Sequence, residues 1–123
     1  LLLVKSIGAL HDELSRVDEL KNKLSFNGNL LRITFHQDYK VEINFKGGYY
    51  DLYINSFFDY SIEDQDILDF IIELARDMYV VQSKRFCKKI FTLVLSESFD
   101  KSKWSEKPDI KVLSPSGIIL DNF

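Results

Sequence analysis

The chain predicts an α+β fold, with an antiparallel sheet carrying helices on one face, and three observations point there. An apolar repeat of helical period opens the sequence, three runs of strict apolar–polar alternation follow it, and a second helical repeat comes after those. The 123 residues are the length of one ordinary domain, so positions 1–123 are taken as a single unit with one core. Hydrophobic residues at 46% and charged residues at 28% are typical of a globular chain, and ten Phe with six Tyr supply many large rings.

The first element is an amphipathic helix. Ile7, Leu10, Leu14, Val17, Leu20 and Leu24 recur at three- or four-residue steps between charged residues, which predicts a helix from about Val4 to Lys23. Asn27, Gly28 and Asn29 supply a stop. Next, Leu31, Ile33 and Phe35, then Val41, Ile43 and Phe45, then Tyr50, Leu52 and Ile54 alternate with polar neighbours, predicting a three-stranded antiparallel meander. A two-residue turn at Gly47 and Gly48 sets Phe45 against Tyr50, Ile43 against Leu52 and Val41 against Ile54, apolar facing apolar throughout. A three-residue loop at Gln37–Tyr39 would set Phe35 against Val41 and Ile33 against Ile43.

Ser61 stands where an N-cap is expected, with Glu63 and Asp64 behind it, so a second helix is predicted from about Ile62 to Val81. The run Ile90–Leu95 is rich in β-formers and apolar on both sides, as in a covered strand, although a further helix over 84–95 is the competing assignment. Ser96–Asp109 reads as a loop. Ile110–Leu113 and Ile118–Leu120 flank Ser114, Pro115, Ser116 and Gly117 as a C-terminal hairpin.

Charge gives the one functional hint. Between Asp59 and Asp77, the acids Asp59, Glu63, Asp64, Asp66, Asp69, Glu73 and Asp77 stand against a single base, Arg76. At about 100° per residue, Asp66, Asp69, Glu73 and Asp77 share one side, opposite Ile67, Ile71, Leu74, Ala75 and Met78. Phe70 and Val80 are expected beside the acids, and a ring framed by charge suits a recognition anchor. A second candidate surface is the polar side of the meander, where Tyr49 and Tyr53 offer rigid contact area with polar tips.

Several classes find no support. The formal charge of −3 disfavours nucleic acid and anionic membrane as general partners. The order helix, meander, helix also occurs in double-stranded RNA-binding domains, but the positions that would meet phosphate carry Glu63, Asp64 and Asp66. No Gly-rich phosphate loop is present, and His11 and His36 have no partner at ligand spacing, so neither cofactor nor metal is expected. His36 is expected as a solvated surface histidine. Cys87, the one cysteine, is expected as a structural thiol near a strand start despite its basic neighbours, and it fits a reducing, cytoplasmic setting. Leu1–Val4 is too short for a signal-peptide core, and no run approaches the length of a membrane span.

The expectation is therefore a non-enzymatic protein-binding domain, monomeric or homodimeric, that meets a basic protein partner through Asp66, Asp69, Phe70, Glu73 and Asp77, with Tyr49 and Tyr53 on the sheet. In this acidic outline the chain resembles the immunity proteins of bacterial toxin systems, which implies an inhibitor seated in the cleft of a basic toxin. A weaker resemblance, through the helix, three strands, helix order, is to the dimeric chaperones of type III secretion. From another class, Glu42, Asp51, Tyr53 and His36 could assemble an enzyme site on the sheet.

Overall fold

The computed structural model describes residues 6–123, apart from the side chain of Phe58. It is a mixed α/β fold with two antiparallel sheets. Helix α1 (Ile7–Leu14) leads to β1 (Leu24–Asn27), β2 (Leu30–His36), β3 (Tyr39–Phe45), β4 (Tyr49–Ile54) and β5 (Phe57–Glu63). Helix α2 (Ile67–Asp77) then joins them to β6 (Met78–Arg85), β7 (Lys88–Leu95), the one-turn α3 (Lys101–Trp104), β8 (Ile110–Ser114) and β9 (Gly117–Asp121). One sheet runs β1-β2-β3-β4-β5 and the other β7-β6-β8-β9.

The first helix is shorter than its periodicity predicts. Val4 and Lys5 lie outside the described residues; Ser6 caps α1 by accepting from the Ala9 amide, and Ser15 ends it by donating its hydroxyl to the His11 carbonyl at 2.7 Å. Val17 is extended and opens a 3-10 turn, Asp18–Leu20, and Asn22 has a left-handed φ of 63°. Leu14, Val17 and Leu20 are buried as the repeat requires, but a broken backbone delivers them. Asn27 is consequently the last residue of β1, and Gly28–Asn29, with Gly28 at φ 59°, is the turn into β2 rather than a helix stop.

The pairing of β3 with β4 follows the alternation: Phe45 faces Tyr50, Ile43 faces Leu52 and Val41 faces Ile54 across the Gly47–Gly48 turn. The β2–β3 connection differs from expectation. Its loop is two residues, Gln37 and Asp38, and a bulge at Phe35 restores parity, so Ile33 meets Val41 and Leu31 meets Ile43. The meander is also extended at each edge, by β1 and by β5.

Strand β5 replaces the predicted start of the second helix. Asn55 and Ser56 have φ of 49° and 73°, making a two-residue turn that returns the chain onto β4. Ser61 is thus a strand residue whose hydroxyl donates to the Asp51 carboxylate at 2.9 Å, not a helix cap. Helix α2 begins only after Asp66, whose side chain makes no capping bond. It stops at Asp77, where the chain straightens into β6, because the β-favouring Tyr79, Val80 and Val81 find partners on β7 and β8. Val80, expected near the acids, is a fully buried strand residue.

One core lies beneath the five-stranded sheet. Leu31, Ile33, Val41, Ile43, Tyr50, Leu52 and Ile54 meet Ile7, Leu10 and Leu14 of α1, Ile67, Ile71 and Leu74 of α2, and Val80, Phe91 and Leu113 of the second sheet. A smaller cluster of Val81, Ile110 and Val112 is covered by Tyr79, Phe99 and Trp104. The segment after β7 is therefore not a plain loop. Asp100 accepts from the Ser102 and Lys103 amides to start α3; the Ser102 hydroxyl, which also donates to it, and then the Lys103 amide keep its carboxyl below the usual range, and Trp104 stacks on Phe99 at 6.0 Å. Strand β7 is an edge strand with Ile90 and Leu95 exposed, so it is not covered on both faces; Phe91 alone is buried.

The β6–β7 turn stores strain. Phe86 and Cys87 both have positive φ, 52° and 63°, where a two-residue turn favours Asn and Gly. Replacing them together, Phe86→Asn with Cys87→Gly, is expected to raise stability by about 1–2 kcal/mol. A urea melt that shows no gain would contradict the strain. Cys87 directly precedes β7, near a strand start as expected, but its thiol is exposed at this tip rather than packed as a structural one.

Candidate functional site

Helix α2 presents the acids as its periodicity requires. Ile67, Ile71, Leu74 and Ala75 go into the core, while Asp66, Asp69, Glu73 and Asp77 are exposed. None of these four carboxylates makes an ion pair among the described residues. Arg76, the single base of the helix, is taken elsewhere: its Nε donates to Glu19 Oε1 at 2.9 Å. That bond, after a backbone hydrogen bond within Glu19 itself, holds the Glu19 carboxyl below its ordinary range. Among the described residues, no cation is left to compensate the charge of the stripe.

A residue absent from the sequence reading extends it. Glu97, on the 3-10 turn Ser96–Ser98, joins Glu73 and Asp77 around a notch of about 380 Å³ whose wall includes Leu95. Leu95 is 39% exposed. Three carboxylates beside an accessible aliphatic side chain match a basic side chain, which carries an apolar stem and a cationic end. Only the pairing of β6 with β7 brings Glu97 here, and no local pattern announces it.

Phe70 is partly buried, with its ring edge-on to Tyr60 at 6.0 Å, so it forms the base of the stripe more than a projecting anchor. Tyr60 is 41% exposed and shares that contact. Tyr49 is exposed and pairs in register with Glu63, close to where α2 begins. Tyr53 belongs to another surface. It is partly buried and pairs with Glu42 on the side of the sheet away from the core, whereas α2 packs beneath the sheet. The stripe and Tyr53 do not form one continuous face, and Tyr49, alternating with buried Tyr50, lies on the face that Tyr53 occupies.

The four polar residues considered for a sheet-face enzyme site have structural engagements. Glu42 accepts from Arg32 at 3.1 Å and Asp51 accepts from Ser61. His36 is not a solvated histidine: Nδ1 accepts from the Asp38 amide at 3.2 Å and Nε2 lies 2.9 Å from the Ser114 carbonyl. The first contact requires a bare Nδ1, so Nε2 carries the proton and donates to Ser114. The ring thereby ties the β2–β3 turn to the β8–β9 turn.

Two buried polar groups stand apart from these. Asp59, at the bulge of β5, has an Oδ2 shut off from water with no hydrogen bond, and burial pushes its carboxyl up to about 6. The Tyr39 hydroxyl is likewise buried without a partner; burial, and then the Asp59 charge, hold it protonated far above the ordinary phenol range. Among the described residues no group of three or more His, Cys, Asp and Glu could hold a metal ion, and no helix is long and apolar enough to cross a membrane. Compared with protein-family models, with curated proteins and with solved structures, the chain finds no match.

Proposed function

We propose that the chain is a non-enzymatic protein-binding domain whose α2 face meets a basic protein, in the manner of an immunity protein that neutralises a toxin. One observation carries the reading: Asp66, Asp69, Glu73 and Asp77 are exposed along one helix with no internal cation among the described residues. Like charges held together raise the electrostatic energy of the free protein, and an approaching cationic surface relieves it. Glu97 and Leu95 add a notch for a lysine or arginine at the C-terminal end of the stripe. The Phe70–Tyr60 pair supplies apolar contact beside it.

Affinity capture from cells of the source organism tests this, using the wild type beside the double variant Asp66→Lys, Glu73→Lys. The expected result is a basic protein held by the wild type and lost with the variant, whose own activity is inhibited by the purified domain. Equal capture by both proteins would remove the stripe from recognition.

A further inference from the structure

A second polar feature lies on a different surface from the stripe. Where the outer face of the five-stranded sheet meets β6, β7 and β8, a cleft of about 720 Å³ opens. Every residue lining it is polar or charged. Arg32, Lys40, Lys89 and Lys111 outnumber the acids Asp38 and Glu42, in a chain whose formal charge is −3. Arg32 is paired with Glu42, but Lys40, Lys89 and Lys111 have no ion-pair partner among the described residues.

An independent observation comes from the cleft's inner wall. Gln82 is only 8% exposed and lines this cleft, yet its side chain has no hydrogen bond among the described residues. It occupies a central strand, opposite Phe91 on one side and Lys111 on the other, where aliphatic residues are the usual occupants. Its neighbours Val80 and Val81 go to the two apolar clusters, so Gln82 is the polar exception in the middle of the strand. With no protein partner among the described residues, the Gln82 amide opens onto the cleft and is free to hydrogen-bond a polar group that enters it.

We propose that this cleft binds a small soluble phosphate ester of a polyol, with Lys40, Lys89 and Lys111 on the phosphate and Gln82 on the polar body. Three separate ammonium groups suit a tetrahedral dianion, which accepts hydrogen bonds from several directions. The volume exceeds the need of phosphate alone and falls in the range of small-molecule sites, while the absence of any apolar lining residue selects a hydroxyl-rich body over an aromatic one. The site is separate from the α2 face, and its occupancy does not depend on the protein-binding reading.

Titration of the isotope-labelled protein with glycerol phosphate, followed through the side-chain amide resonances of Gln82, tests the proposal. Saturable movement is expected, absent with glycerol or with sodium chloride of equal ionic strength. Affinity should fall about tenfold or more in the double variant Lys40→Ala, Lys111→Ala, whose side chains both reach solvent. Gln82→Leu assigns the resonance, and the backbone amides of Lys111 and Lys89 serve if that variant does not fold. Movement that never saturates, equal affinity in the lysine variant, or binding confined to phosphatidylglycerol vesicles would each overturn it.

Discussion

Leu52→Ala is expected to lower the unfolding free energy by about 3–4 kcal/mol. Leu52 is fully buried at the centre of β4, facing Ile43 on β3 and Tyr60 on β5, under the layer formed by α1 and α2. Both neighbouring strands hold its backbone, so the cavity left by truncation cannot collapse readily. A domain of this size has only about 5–15 kcal/mol in hand, so the variant should be visibly destabilised in urea. Asp51→Ala, one residue away on the outer face, loses only its bond with Ser61 and should cost far less. A loss below about 1 kcal/mol for Leu52→Ala would mean that this face of the sheet is not the core.

Asp59→Asn is expected to change stability in a pH-dependent way. The folded-state value of about 6 lies above the ordinary 3.8, so the native state binds the proton more tightly than the unfolded chain. Below about pH 4 the carboxyl is protonated in both states and the substitution should matter little. As pH rises from 4 to 6 the unfolded chain ionises first, and the wild type loses stability relative to the asparagine variant. Above 6 the difference is complete and constant. The shift alone would correspond to about 3 kcal/mol, but the residue is only half-buried and solvent screening reduces this to about 1 kcal/mol. Urea midpoints of the two proteins at pH 4 and pH 7.5 give the comparison. Parallel profiles would show that Asp59 ionises without hindrance.

The parts of the fold that were legible in the sequence are those in which each residue's environment repeats locally. Val41, Ile43, Phe45, Tyr50, Leu52 and Ile54 alternate without interruption, and two glycines mark their turn, so even the register could be written down. Ile67, Ile71 and Leu74 identify the buried side of α2 for the same reason. The first helix misled because burial at three- and four-residue steps is also satisfied by a helix, a 3-10 turn and a strand placed end to end; Leu14, Leu20 and Leu24 come from those three elements in order. Strand β5 was hidden by its composition. Asp59 interrupts the alternation at the bulge, and Asn55–Ser56 lacks the glycine that usually advertises a two-residue turn. The second sheet depends on pairings between residues 78–85 and 110–114, a separation no local pattern reports.

The candidate sites divide along the same line. The acid stripe is a one-helix property and was visible as a period, whereas Glu97 reaches it only through the β6–β7 pairing. The basic cleft draws on five strands, and its key group, Gln82, is ordinary in sequence and exceptional only in its burial. Two surfaces of opposite charge on one small domain also explain why a net charge of −3 understates its electrostatics.

The account rests on the anions of α2 being the surface that draws in a cationic protein. The most direct measurement is the association rate of the captured basic partner as ionic strength rises, for the wild type, for Asp69→Lys with Glu73→Lys, and for Glu106→Lys as a charge change elsewhere. Wild-type association is expected to slow about tenfold or more with added salt, the double variant to start slow with a flatter salt dependence, and Glu106→Lys to follow the wild type. Identical rates and salt slopes for all three proteins would contradict it.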